Sequence, residues 1–274
     1  MKKKVLILLT TLAIASLPII FPVTAWAQNP NEFTIPLSDP AKRGKLKAKI
    51  NYGSITVKGT GRKDVLVRYT AEKDEDRGKS DTKDGLKRIG GGGMDLEAVE
   101  NSNTVSVKSD SWNNKLNLEI EIPSGMDLEV KTYNDGDLMI SNIQGELTLT
   151  NYNGEITALN VSGTVVATTY NGGIKVTFDK VTDGTPMSYS TYNGDIDLTF
   201  PAAVKATLKM KTEQGDIYSG FEVDLKSSGP IQKKDTGSGV VKVTVDEWKR
   251  GDINGGGPEF TMKNYNGDII LRKK

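Results

Sequence analysis

The chain has 274 residues, 36% hydrophobic and 26% charged, with 29 Gly, 10 Pro and neither Cys nor His, the composition of a globular protein. Without His or Cys there is no Ser-His-Asp or Cys-His nucleophile system and no ordinary ligand set for zinc, haem or an iron-sulfur cluster, so carboxylate chemistry and hard-cation binding are what remain. The formal charge of +1 belongs to the first 27 residues, which hold three Lys and no acid; the remainder carries 33 basic against 35 acidic side chains and gives no basis for nucleic-acid binding.

Met1-Lys2-Lys3-Lys4, an apolar run from Val5 to Phe21 and Ala25-Trp26-Ala27 before Gln28 match the n-region, h-region and small-x-small cleavage site of a secretory signal peptide over residues 1–27. The length of the run also permits an uncleaved anchor; Pro18, Pro22 and the Ala-x-Ala ending favour cleavage. The mature chain is therefore expected to start at Gln28 and to be exported from a bacterial cytoplasm to the periplasm, the exterior or the cell surface. No later stretch approaches the roughly 20 apolar residues of a spanning helix, so no transmembrane segment is expected after cleavage. With no Cys, neither a lipidated N-terminal Cys nor a disulfide is available, and stability has to come from core and backbone pairing.

After an N-terminal extension over residues 28–43, residues 44–130 read as an irregular β region. Leu46-Lys47-Ala48-Lys49-Ile50, Ile55-Thr56-Val57, Val65 to Tyr69, Val105-Ser106-Val107 and Leu116 to Ile122 alternate apolar and polar residues, the period of half-buried strands. They are read as a capping sheet for the repeats that begin at residue 131. The loop 72–95 mixes six acidic and six basic residues between Glu72 and Arg88 and ends in Gly90-Gly91-Gly92-Gly93. This tetraglycine lacks the Gly-Lys-Ser/Thr ending and the following helix of a phosphate cradle and reads as a hinge.

From residue 131 to 272 one phrase recurs, carried by Tyr133-Asn134 with Gly136, Tyr152-Asn153-Gly154, Tyr170-Asn171-Gly172, Tyr192-Asn193-Gly194 and Tyr265-Asn266-Gly267, with degenerate copies at Gln214-Gly215-Asp216 and Asn51-Tyr52-Gly53. Aligned on Gly136, Gly154, Gly172, Gly194 and Gly215, the steps are 18, 18, 22 and 21 residues, and Gly145 and Gly163 fall half-way. Loops at 227–239 and 250–258 interrupt the series. Each unit places an Asn-Gly turn before a short alternating strand, which cannot bury its apolar row alone but can when units stack. The fold class is therefore all-β: a single-chain β-solenoid of 9- and 18-residue repeats, with Leu138/Ile140, Leu147/Leu149, Ile156/Ala158, Val165/Ala167, Ile174/Val176 and Ile196/Leu198 lining one interior. A hairpin meander folded as a sandwich or prism is the competing architecture, but it offers no reason to repeat Tyr-Asn on every second strand. In a solenoid, Tyr and Asn of successive coils lie about 4.8 Å apart, one strand spacing.

The phrase Tyr-Asn-Gly-Asp-Ile, together with Asn51-Tyr52-Gly53-Ser54-Ile55-Thr56-Val57-Lys58-Gly59 after a signal peptide, resembles the bacterial DUF4097 family of adhesin-like β-strand-repeat proteins over roughly residues 44 to 272. The resemblance implies an exported or envelope-associated all-β repeat protein and brings no catalytic residues with it.

The residue after the turn glycine is often acidic: Asp137, Glu146, Glu155, Asp195, Asp216 and Asp268. Calcium-binding nonapeptide solenoids place two glycines and an Asp in every unit, whereas these units mostly have one glycine, so no metal and no cofactor are expected. Asp195 and Asp197, two apart on one strand, are the weak catalytic pair if the chain is a polysaccharide lyase or hydrolase. Acidic residues at exposed strand starts more often serve solvation and turn chemistry. The expectation is a non-enzymatic binding or structural module with an envelope protein or glycan as partner. The alternatives are the carbohydrate-active enzyme and an accessory or sensor protein of envelope stress.

Overall fold

The computed structural model describes residues 31–73, 95–226 and 248–274, with the backbone of four short strands between them. The signal peptide, the tetraglycine and most of the loops at 72–95 and 227–239 lie outside the described residues.

In chain order the strands are β1 (Glu32–Pro36), β2 (Lys45–Ile50), β3 (Ile55–Thr60), β4 (Asp64–Lys73), β5 (Thr82–Lys83), β6 (Leu86–Lys87), β7 (Leu96–Asn101), β8 (Thr104–Ser109), β9 (Asn114–Pro123), β10 (Asp127–Lys131), β11 (Leu138–Ser141) and β12 (Glu146–Thr150). They continue with β13 (Ile156–Thr168), β14 (Ile174–Val181), β15 (Met187–Ser190), β16 (Ile196–Phe200), β17 (Ala206–Lys211), β18 (Ile217–Ser219), β19 (Asp224–Lys226), β20 (Ile231–Lys234), β21 (Val241–Thr244), β22 (Lys249–Ile253), β23 (Glu259–Lys263) and β24 (Ile269–Lys273). No helix occurs among the described residues, and 20 of the strands join one hydrogen-bonded sheet.

Alternation decides how they assemble, because every strand has one apolar row to bury. Two ladders of parallel strands face each other across that row. The first runs β9, β3, β11, β13, β14, β16, β24, β18. The second runs β8, β2, β10, β12, β13, β15, β23, β17. β13 serves both, turning the corner between Asn160 and Gly163, where φ is +56° and +147° and the register shifts. The arrangement is solenoid-like: register partners such as Leu138 and Ile156, or Ile156 and Ile174, are 18 residues apart.

The six apolar pairs expected inside are all buried, each residue at most 2% exposed. Aromatic residues also fill the interior, where Phe178, Phe200 and Phe260 stack with centroids 5.1 and 5.5 Å apart. Tyr189 is fully buried as well, and burial pushes its phenol well above the usual range.

Several sequence expectations change. The N-terminal β region is not an irregular cap, since β2, β3, β8, β9 and β10 take regular places in the same parallel ladders and the stack runs through residue 130 without a break. The covering strands are instead β4, antiparallel on β9, and β7, antiparallel on β8, with β1, from the extension, on β4. The segment 250–258 is not wholly loop, because β22 covers β17 in antiparallel pairing. Coil order also departs from chain order: β2 and β3 sit between β8/β9 and β10/β11, and β23 and β24 sit between β15/β16 and β17/β18. The step from Gly194 to Gly215 is therefore not a stacking step, because Gly267 lies between them.

Candidate functional site

The recurring phrase forms one edge of the stack, and each of its positions does a separate job. The glycines make a column in which each coil rests on the carbonyl of the last. A Cβ at Gly154 would strike the Gly136 carbonyl, one at Gly172 that of Gly154, one at Gly194 that of Gly172, and one at Gly267 that of Gly194. Gly154, Gly172, Gly194 and Gly267 also hold positive φ, between +127° and +148°.

Beside the glycines runs an amide ladder. Asn153 Nδ2 donates to Asn134 Oδ1 at 3.1 Å, Asn171 to Asn153 at 2.8 Å, Asn193 to Asn171 at 2.7 Å and Asn266 to Asn193 at 3.5 Å. Next to it the tyrosines stack almost parallel. Ring centroids are 5.1 Å apart for Tyr152 and Tyr170, 4.9 Å for Tyr170 and Tyr192, and 4.6 Å for Tyr192 and Tyr265, with interplanar angles of 3–6°. Tyr133 departs from the row and packs tilted against Trp112, 6.1 Å away. Partial desolvation inside the row, then the neighbouring phenols Tyr265 and Tyr170, raise the Tyr192 pKa.

A fourth column is regular in the sequence, but its burial and its acceptors emerge only in the structure. The first residue of the phrase is Thr or Asn, and it is buried: Thr132, Asn151, Thr169, Thr191 and Asn264 are all at most 5% exposed. Each donates to the glycine carbonyl of the neighbouring coil, Thr169 Oγ1 to Gly154 at 3.0 Å and Asn151 Nδ2 to Gly136 at 2.9 Å among them. Thr and Asn interchange because both offer a short donor there. The signal was in the sequence, since no other residue type opens the five full copies of the phrase.

Three of the six acidic residues after the turn glycine bind backbone of the neighbouring coil. Asp137 Oδ1 accepts from Glu155 N–H, Asp195 Oδ1 from Asp268 N–H, and Asp268 Oδ1 from Asp216 N–H, at 2.8–2.9 Å. In the first coils Asn117 and Ser54 fill the same role. Asp195 precedes β16 and Asp197 lies within it, and the two have separate partners. Asp197 takes a two-pronged contact from Arg272 at 2.8 and 3.1 Å, which raises the guanidinium pKa, while Asp195 holds the Asp268 amide. Among the described residues no group of three or more acidic side chains is placed to hold a metal ion.

The family model described as Toastrack DUF4097 matches residues 34–254. The chain belongs to this family. The Toastrack match stops before β23 and β24, so the last full copy of the phrase lies outside it although that coil is stacked inside the ladders. The chain is similar to a Clostridium sporogenes protein of known structure described as a candidate cell adhesion protein, with 12% identity, a TM-score of 0.47 and coverage of 90% of this chain and 100% of that one. No curated protein matches this Toastrack chain. No helix among its described residues is long and apolar enough to cross a membrane.

Proposed function

We propose that this Toastrack chain is an exported, non-enzymatic module of the bacterial cell envelope, adhesin-like in that it binds or spaces other components through a long repeat surface. We read its fold as a single-chain β-solenoid of 18-residue coils. One observation carries the reading: the acidic residues best spaced for catalysis, Asp195 and Asp197, are each engaged by β24 or the turn before it, so the edge is organised for its own rigidity. The signal-peptide pattern of residues 1–27 and the absence of His and Cys agree with it. The partner on this reading is an envelope protein or a glycan.

A polysaccharide panel incubated with the purified protein, combined with affinity capture from the native envelope, tests this. Binding without turnover, or a specific envelope protein captured, is the expected result. New reducing ends or unsaturated products would make the chain a carbohydrate-active enzyme and overturn the reading. For export, mass spectrometry of the periplasmic or secreted form should give an N-terminus at Gln28; residues 1–27 retained in a membrane fraction would make the protein anchored.

A further inference from the structure

The tyrosine row continues the outward alternation of the second ladder. Thr148, Thr150 and Tyr152 point out while Leu147, Leu149 and Asn151 between them are buried. The same pattern recurs in the next coils, and the registers place Thr150 beside Thr168, Thr168 beside Ser190, and Ser190 beside Lys263. The shoulder next to the tyrosines is thus uncharged from Thr150 to Ser190, between Lys131 at one end and Lys263 at the other.

The rings are half-exposed, between 39 and 49%, but their faces are not. Stacking at 4.6–5.1 Å and 3–6° covers both faces of Tyr170 and Tyr192, leaving ring edges and hydroxyls in a straight line along the stack. A sugar ring that packs against an aromatic face finds no such face in the middle of the row. A planar aromatic molecule laid across the edges finds what it prefers, because the positive rim of each tyrosine meets its negative π-face in repeated edge-to-face contacts. The rings are already ordered by one another, so little side-chain freedom is lost on binding.

We propose that the tyrosine row from Tyr152 to Tyr265, with the Thr150–Thr168–Ser190 shoulder, is a binding site for elongated planar aromatic molecules lying along the axis of the stack. The proposal goes beyond the envelope reading and does not depend on where the protein resides.

Thioflavin T is the probe. Titrated against purified protein shown to be monomeric by sedimentation, it should give a saturable rise in fluorescence. Tyr170→Ala interrupts the row and should weaken the apparent affinity by at least about tenfold, whereas Tyr170→Phe keeps the ring and should retain binding. Thr168→Arg, an exposed position outside the core, should block the shoulder and abolish the signal. If Tyr170→Ala does not fold, Thr168→Arg decides. The absence of a saturable signal, or an undiminished signal in Thr168→Arg, overturns the proposal.

Discussion

Between Glu146 and Phe200 each coil lies on the one before it in sequence, whereas at both ends of the stack the terminal coil of the chain is buried one place in. Near the N-terminus β2 and β3 are enclosed by β8/β9 and β10/β11, and near the C-terminus β23 and β24 are enclosed by β15/β16 and β17/β18. The chain passes outward after β3 at one end and before β23 at the other, and on the way supplies antiparallel strands, β4 and β7 at the first and β22 at the second, that pair with outer strands of the ladders. A stack of parallel strands exposes a row of unpaired backbone groups at each end, and covering them limits edge-to-edge association. The middle needs no such device. There regular repetition lets the same four columns of Gly, Asn, Tyr and Thr/Asn serve every coil.

That contrast can be broken most severely at the inserted coil. Deleting residues 259–274 removes buried Phe260, Met262, Ile269 and Leu271 and leaves β15/β16 and β17/β18 without a common partner. At about 1.5–3 kcal/mol per buried side chain the loss rivals the whole stability of a domain, so cooperative unfolding in urea should disappear. Deleting residues through Pro36 removes only the outermost strand and should leave a lower but still cooperative transition. A cooperative transition that survives the C-terminal deletion would show that the inserted coil is dispensable.

Next comes the glycine column. Gly172→Ala forces a methyl group into the Gly154 carbonyl at a φ of +147° and should cost more than about 3 kcal/mol. Gly184→Ala shares a positive φ, +75°, but has open space around the new methyl, so only about 1 kcal/mol is expected. Equal urea midpoints for the two variants would mean that backbone strain alone, and not the stacking of coils, sets the glycine requirement.

The amide ladder should give a smaller difference. Asn171 makes amide bonds to both neighbouring coils, so Asn171→Ala should lose about 1–2 kcal/mol. Asn101 closes β7 at an exposed hairpin, where its side chain accepts from neighbouring Ser102, and Asn101→Ala should change stability by less than about 0.5 kcal/mol. Similar losses in the two titrations would argue that the ladder adds nothing beyond local turn chemistry.

The smallest effect is expected where Asn replaces Thr in the buried column. Asn151 Oδ1 and Asn264 Oδ1 are buried without a hydrogen-bond partner, while Thr at the equivalent positions makes the same donor bond and buries no second polar atom. Asn151→Thr should therefore raise stability by up to about 1 kcal/mol, visible as a higher melting temperature. A clear loss would mean that the larger Asn side chain contributes packing that Thr cannot replace.

Much of the edge is legible without coordinates. Asn-Gly followed by alternation announces a turn and a half-buried strand, and identical turn tips every 18 residues announce stacking, so the Tyr, Asn and Gly columns and the apolar interior come from local pattern. The Thr/Asn column is just as regular, but a buried donor cannot be told from an exposed polar residue until its carbonyl acceptor is in place. The two-residue spacing of Asp195 and Asp197 is legible in the sequence, while their partners, Asp268 N–H and Arg272, lie more than 70 residues away.

Periodicity is a property of neighbours along the chain, and by itself it determined the all-β class, the buried rows and the makeup of each turn. Which coil stacks on which was decided only by the tertiary structure. A parallel strand with an Ile-x-Leu interior pairs equally well with any other of that pattern, so Ile196-x-Leu198 is followed in space by Ile269-x-Leu271 rather than by Ile217. The choice rests on pairings between segments far apart in the chain, which no local segment encodes.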